Sequence, residues 1–370
     1  MPDNPDSISI LGFGCMRFPT LEDGSIIKDK AMEMLNHAFE NGVNYYDTAV
    51  PYHGGRSEAL VGEFIAGKPR DKVFIATKLP SWLINKPEDL YAQFEAQLQR
   101  LNTGYIDYYL VHSLNRRFWK PLLKNGLFDF LNDIKDKGLV RHIGFSFHDS
   151  LSLFKRIVDA YPWDFCQIML NYLDTTYQAG LSGLRYAAKR NLGIIIMEPL
   201  RGGKLVDKIP SEIASLWDAS SFAYTPAQRA FNWLWDKPEI HVVLSGMSSM
   251  EQVKQNIDNA SSVRANSITP AEQRLYAKVR KSYLSKVKID CSSCRYCLPC
   301  PNNLPIPFLF EMYNDAHIFE DKERHIREYK IWFDENTRAD KCTACGACLA
   351  KCPREIPIPD KMKELAEFFV

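Results

Sequence analysis

The chain has 370 residues, 46% hydrophobic and 25% charged, an ordinary composition for a folded globular protein. A formal net charge of +1 excludes a protein organised around a nucleic-acid electrostatic footprint. No apolar run reaches the roughly 18 residues of a membrane helix, and Met1-Pro-Asp-Asn-Pro-Asp-Ser7 lacks signal-peptide character, so a cytoplasmic protein with no membrane partner is expected.

Up to residue 284, short β-branched or aromatic runs alternate with longer amphipathic stretches. Strands are predicted at Val43–Asp47, Val73–Thr77, Ile106–His112, Val140–Ser146, Phe165–Leu170, Gly193–Glu198 and His241–Ser245, with a weaker eighth around Ser261–Arg264. Helices are predicted at Ala31–Glu40, Pro87–Leu101, Leu122–Asp136, Pro226–Trp235 and Met250–Asn259. Runs such as Gly193-Ile-Ile-Ile-Met197 are apolar throughout, as expected of strands buried on both faces. Repeated strand–helix units over this length favour a closed (β/α)8 barrel over an open doubly wound sheet. Gly12-Phe-Gly14 is too short for a dinucleotide fingerprint, which also counts against the open sheet.

From residue 285 the character changes. Of ten cysteines, Cys15 and Cys166 stand alone as small apolar residues, and the rest form two runs, Cys291/Cys294/Cys297/Cys300 and Cys342/Cys345/Cys348/Cys352. Clustered thiols without a secretion signal point to metal ligation rather than disulfides. The second run is C-x2-C-x2-C-x3-C-P, a bacterial iron–sulfur spacing whose last cysteine ligates the neighbouring cluster in two-cluster ferredoxins. The first run is one residue shorter in its last gap. Cys300-Pro-Asn-Asn-Leu-Pro-Ile-Pro307 and Cys352-Pro-Arg-Glu-Ile-Pro-Ile-Pro359 form an internal repeat. Two [4Fe–4S] clusters are therefore expected, the second run giving the stronger signal, with a structural zinc site as the alternative. The predicted domains are a barrel over 1–284 and a small α-rich iron–sulfur domain over 285–370.

Working residues of such a barrel come from the carboxyl ends of its strands. Those ends carry Asp47, Lys78 and His112, and Tyr52 follows Asp47 in the first such loop. Each alone has a bland explanation as a cap, a solvated cation or a packed core group; three on adjacent strands with a tyrosine nearby do not.

Asp47-Thr-Ala-x-x-Tyr52 with Lys78 and His112 resembles the catalytic tetrad of the aldo-keto reductases, over residues from about 8 to 265. Residues 286–370 are similar to a two-cluster ferredoxin module, so the whole chain resembles the iron–sulfur-fused branch of that family. Leu11-Gly-Phe-Gly-Cys-Met-Arg-Phe-Pro19 and Gly144-Phe-Ser-Phe-His148 carry the same resemblance. It implies reduction of an aldehyde or ketone, or oxidation of the alcohol, with NADP or NAD. Tyr52 would be the general acid/base, Lys78 the cation that lowers its pKa towards the working range, Asp47 the partner of Lys78, and His112 the group that orients the carbonyl. It also implies cofactor contacts from Met16 and Arg17, from Ser146, Gln167 and Asn171 at the carboxamide, and from Pro199, Leu200, Gly202 and Lys204 on the pyrophosphate side. On the adenosine side stand Gly246, Ser248, Gln252 and Asn256. Gly246 and Gln252 occupy positions where the NADP-selective pattern has a Lys and an Arg, which leaves the choice of nicotinamide open.

Trp217, Trp233 and Trp235 with Phe222 and Phe231 are expected as helix core. Specificity is assigned to the strand-end loops Ser113–Asn125 and Leu205–Ala223. Hydride moves as two electrons and a cluster moves one, so the clusters are expected to be structural or to serve a redox partner protein or a flavin. A non-catalytic redox sensor or partner-binding subunit, and a ferredoxin-like electron-transfer protein, stand as alternatives to the reductase.

Overall fold

In a computed structural model the described residues, 8–220 and 222–369, pack into two compact units. Met1–Ser7, the segment without signal-peptide character, lies outside the described residues. One unit comprises Met1–Gly202 and Tyr224–Ile268, the other Gly203–Ala223 and Thr269–Val370.

The first unit is a closed barrel of eight strands: β1 (Leu11–Gly14), β2 (Tyr45–Asp47), β3 (Phe74–Leu79), β4 (Ile106–Leu114), β5 (Val140–Phe147), β6 (Phe165–Met169), β7 (Gly193–Met197) and β8 (Val242–Ser245). Every neighbouring pair is parallel, and β1 closes on β8 with Leu11 opposite Val243. The seven main predicted strands are present. The eighth is not at Ser261–Arg264, where Ser261 and Ser262 end the helix Met250–Ser262; it is β1. The predicted helix Leu122–Asp136 is two helices, Arg116–Lys124 and Leu127–Asp136, parted at Asn125 and Gly126, where Gly126 takes φ +79°. Pro87–Leu101 and Pro226–Trp235 start and stop as predicted, each with proline in the first turn.

Strand side chains alternate between the bore and the helices. Phe13, Tyr46, Ile75, Tyr109, Ile143 and Ile168 face outwards into the helix-covered core. Tyr45, Ala76, Tyr108, Leu110, Phe165, Ile195, Val242 and Leu244 fill the bore. The bore is tight: a Cβ on Gly12 would lie 2.7 Å from Leu244, and one on Gly144 would lie 2.6 Å from the Phe165 carbonyl oxygen. Of the aromatic set expected as helix core, Trp235 and Phe231 stack at 5.1 Å there and Trp233 packs against it, whereas Trp217 groups with the second unit and Phe222 lies in no helix.

The second unit is α-rich, with helices Ser211–Asp218, Pro270–Leu284, Ile306–Ile318, Lys322–Trp332 and Ile358–Phe368. Its core includes Leu304, Leu309, Phe310, Tyr329, Phe333, Met362 and Leu365, with Tyr329 stacked on Phe369 at 4.3 Å. The boundary expected at 284 leaves Pro270–Leu284 with the barrel, whereas this helix packs in the second unit. Its apolar face explains why: Tyr276 meets Trp217 at 5.2 Å, and Tyr283 meets Phe319 at 5.7 Å. The loop Leu205–Ala223, expected to select substrate, groups with this unit as well.

Candidate active site

The alternation that fills the bore also builds the site. Two residues beyond Tyr45, Ala76, Leu110, Gly144 and Phe165, the next inward positions are Asp47, Lys78, His112, Ser146 and Gln167. An apolar plug is thus capped by a polar layer at the carboxyl ends of β2 to β6, and all five residues are buried. Asp47 ends β2 as predicted, Lys78 is the penultimate residue of β3, and His112 lies two residues inside the end of β4.

Lys78 donates from Nζ to Asp47 Oδ1 at 2.6 Å, to the Thr48 carbonyl at 2.8 Å and to Tyr52 Oη at 3.4 Å. Its strand is held from behind by Gln97, which donates to the Lys78 carbonyl at 3.0 Å and to Glu58 at 2.9 Å. Burial pulls Lys78 down, but Asp47 and then Tyr52 outweigh it, and its pKa ends above the ordinary value. Burial raises Asp47 against the pull of Lys78. These directions oppose each other within one pair, and the 2.6 Å contact, with a third acceptor at Thr48, favours the charged pair.

Tyr52 departs from expectation. Burial raises its pKa by more than Lys78 lowers it, so the resting group is a neutral phenol rather than one brought towards neutrality. His112 is pushed well below 6.5 by burial, then by Lys78 and His148, and is therefore a neutral imidazole. Its ring stands edge-on to Tyr52 at 6.5 Å and tilted to Trp82 at 5.1 Å, and its Nδ1 has no hydrogen-bond partner. Trp82, 38% exposed, is an aromatic wall of the mouth that the sequence left unassigned. Its signal is its place, four residues after Lys78 in the same strand-end loop.

The residues expected at the cofactor divide into two groups. Gln167 keeps a buried carbonyl oxygen, Oε1, without a partner, and Ser146 Oγ accepts one bond, from the Ser113 N–H at 2.8 Å. Both fit a carboxamide. Met16 is 50% exposed, and Arg17 lies across Gly246, where a Cβ would meet its side-chain carbons at 3.1–3.3 Å. Pro199 and Leu200 pack at the foot of the β7 loop, and Gly202 takes φ +64°. Four expected contacts are committed elsewhere. Asn171 donates to Asp174 and the Glu198 carbonyl and accepts from the Leu173 and Asp174 N–H groups. Lys204 pairs with Asp315 at 2.9 Å and Glu328 at 3.1 Å inside the second unit. Asn256 donates to Ser245 Oγ at 3.1 Å, bracing its helix to β8. Gln252 turns back to accept from the Ser248 N–H at 2.8 Å, and Ser249 caps the helix.

In the second unit the eight clustered cysteines line two cavities. One is lined by Cys291, Cys294, Cys297 and Cys352; the other by Cys300, Cys342, Cys345 and Cys348. Each takes three cysteines from one run and the fourth from the other. Apolar residues, Ile306 and Ile358 among them, close both. Burial pushes Cys297 up to about 12. Four thiols spread around each cavity suit a cluster larger than a single ion. Cys15 and Cys166 are buried apart, with Cys166 raised to about 12 by burial, in keeping with inert thiols.

The sequence matches the aldo/keto reductase family over residues 10–267 and a 4Fe-4S dicluster domain over 290–356. L-galactose dehydrogenase of Arabidopsis thaliana is 27% identical over 273 residues, 68% of this chain and 83% of that protein. The NADH-specific methylglyoxal reductase of Escherichia coli is 25% identical over 280 residues, 64% of this chain and 84% of that protein. An aldo/keto reductase of Klebsiella pneumoniae, solved with NADP and acetate, shares the fold with a TM-score of 0.60 at 22% identity, covering 74% of this chain and 92% of its own. The barrel and its polar layer therefore belong to an oxidoreductase of the aldo/keto reductase family, joined in this chain to a C-terminal 4Fe-4S dicluster domain.

Proposed function

We propose that the barrel reduces a small aldehyde or ketone, or oxidises the corresponding alcohol, with a nicotinamide cofactor and Tyr52 as the acid/base. The observation that carries this is the buried Lys78, bonded to Asp47 at 2.6 Å and to Tyr52 at 3.4 Å in the polar layer. A bound nicotinamide supplies hydride to a carbonyl carbon. Tyr52, a neutral phenol at rest, gives its proton to the carbonyl oxygen as charge develops there. The Lys78 ammonium steadies the phenolate left behind, and Asp47 keeps that ammonium charged and in place. His112, held neutral, donates an N–H to the same oxygen and fixes the carbonyl in the mouth beside Trp82.

Ser146 and Gln167 are the groups that fit the carboxamide, and Arg17 with Gly246 the outer part of the cofactor. Relatives of both kinds, one NADH-specific and one solved with NADP, support a nicotinamide and leave its 2′ position open. The two cysteine-lined cavities would each hold one [4Fe–4S] cluster, which when bound supplies single electrons or a structural staple. Eight such thiols suit a reducing, cytoplasmic setting.

Tyr52→Phe is expected to lower turnover by about two to four orders of magnitude, measured on a panel of aldehydes with both nicotinamides. Unchanged turnover would remove Tyr52 from the reaction. A dye- or ferredoxin-reducing activity that survives both Tyr52→Phe and Lys78→Met would assign the chain to electron transfer instead.

A further inference from the structure

His53, next to Tyr52 in the chain, plays no part in the acid/base scheme, yet its geometry is specific. It takes φ 52° and ψ 41°, followed by Gly54 at φ 62° and Gly55 at φ 89°. The two glycines take positive φ freely, but His53 carries a Cβ, and the left-handed conformation is disfavoured there. What holds the histidine there is visible at both ends. Its Nε2 accepts the Phe18 backbone N–H at 3.1 Å, and its ring stacks on the Phe18 ring at 5.5 Å. Its carbonyl accepts from Arg56 Nε at 3.1 Å. Phe18 is 3% exposed and belongs to the barrel core, and it directly follows Met16 and Arg17 in the loop after β1. A second stitch joins the same two loops, since Ser57 Oγ donates to the Cys15 carbonyl at 2.8 Å.

Because the donor is a backbone N–H, Nε2 must carry a lone pair, and the ring is neutral with its proton on Nδ1. We propose that His53 is a positioning residue whose neutral imidazole ties the Tyr52 loop to the Met16–Phe18 loop, and that its protonation releases Tyr52 and sets the acid limit of the reaction. A protonated Nε2 would point a second N–H at the Phe18 N–H, so the tether cannot survive the charge. Burial and then Arg56 lower the His53 pKa from 6.5, which keeps the ring neutral at physiological pH. Arg56, which itself faces Asp23, is the charged group acting on the ring. The sign follows: activity is present above the inflection and lost as pH falls through it, at a value below 6.5. This rests on Tyr52 acting as the acid/base.

The test uses the full chain labelled with ¹⁵N-phenylalanine, the Phe18 amide being assigned through Phe18→Leu. The Phe18 amide resonance is expected to move with the same inflection as kcat on the acid side. His53→Ala is expected to lower kcat at neutral pH at least about tenfold through misplacement of the phenol. His53→Gln, whose side-chain oxygen can accept the same N–H but does not ionise, is expected to rescue most of that loss and to abolish the acid inflection in both readouts. A Phe18 amide that does not titrate, or a His53→Gln enzyme that keeps the inflection, would overturn the proposal. If Tyr52→Phe is inactive while the Phe18 amide is silent, the tether fails and the acid/base assignment stands. If Tyr52→Phe is active while the Phe18 amide titrates, the assignment fails and the tether alone stands.

Discussion

Lys78→Met is expected to lower turnover about a thousandfold and to destabilise the barrel by about 3–5 kcal/mol at neutral pH. The methionine is close in shape, so the effect is one of charge. Asp47 Oδ1 loses its 2.6 Å partner, and Oδ2 has none in the parent chain, which leaves a carboxylate buried without compensation. Burial already raises the Asp47 pKa, and without Lys78 the one downward pull on it disappears. A carboxyl whose folded pKa lies above its unfolded value of 3.8 binds more protons folded than unfolded. Stability of the variant should therefore fall as pH rises above about 4, the reverse of the usual carboxylate behaviour. Denaturant midpoints at pH 5 and pH 8 would show it, and adding Asp47→Asn should remove the pH dependence while leaving turnover low. A Lys78→Met protein as stable and active as its parent would dissolve the ion pair at the centre of the site.

Cys352→Ser is expected to cut iron from about eight to about four per chain, and Cys300→Ser to do the same from the other cavity. The crossed lining makes this sharper than a simple loss. Cys291 and Cys352 line one cavity, so Cys291→Ser/Cys352→Ser should lose no more iron than either change alone. Cys345 lines the other, so Cys345→Ser/Cys352→Ser should leave almost none. Iron and sulfide analysis of anaerobically purified protein, with its EPR spectrum, reads both outcomes. Additive loss in the first double variant would mean that each run serves its own cavity. Zinc in place of iron would overturn the redox assignment of the whole unit.

The seven strands were legible because burial makes each of them carry a run of apolar or aromatic residues, continuous in Gly193–Met197 and broken by polar residues in Val140–Phe147. β1 was not, for a reason the bore supplies. Leu11-Gly-Phe-Gly14 carries two glycines and reads as a turn, yet at Gly12 the side chains of Leu244, Val242 and Tyr45 leave no room for a Cβ. The packing that demands the strand erases its signal. Asp47, Lys78 and His112 were legible as ionisable residues ending apolar runs, and the register places them in one layer because each stands two residues beyond a bore residue. The balance at Tyr52 was not legible, since a sequence shows the lysine but not the desolvation that outweighs it. Lys204 misled in the opposite way: its glycine-rich setting suits an anion, while its actual partners, Asp315 and Glu328, lie more than a hundred residues further along the chain.

The exchange of fourth cysteines between the two runs bears on how the tail would come apart. With both cavities filled, Cys300 is anchored to the later segment and Cys352 to the earlier one, so the halves are laced together twice through inorganic bridges. A protease nick in the stretch around Asp334–Arg338 would then yield two pieces on a denaturing gel and one particle on a sizing column. Stripping the iron from the nicked protein should be what finally lets the fragments drift apart.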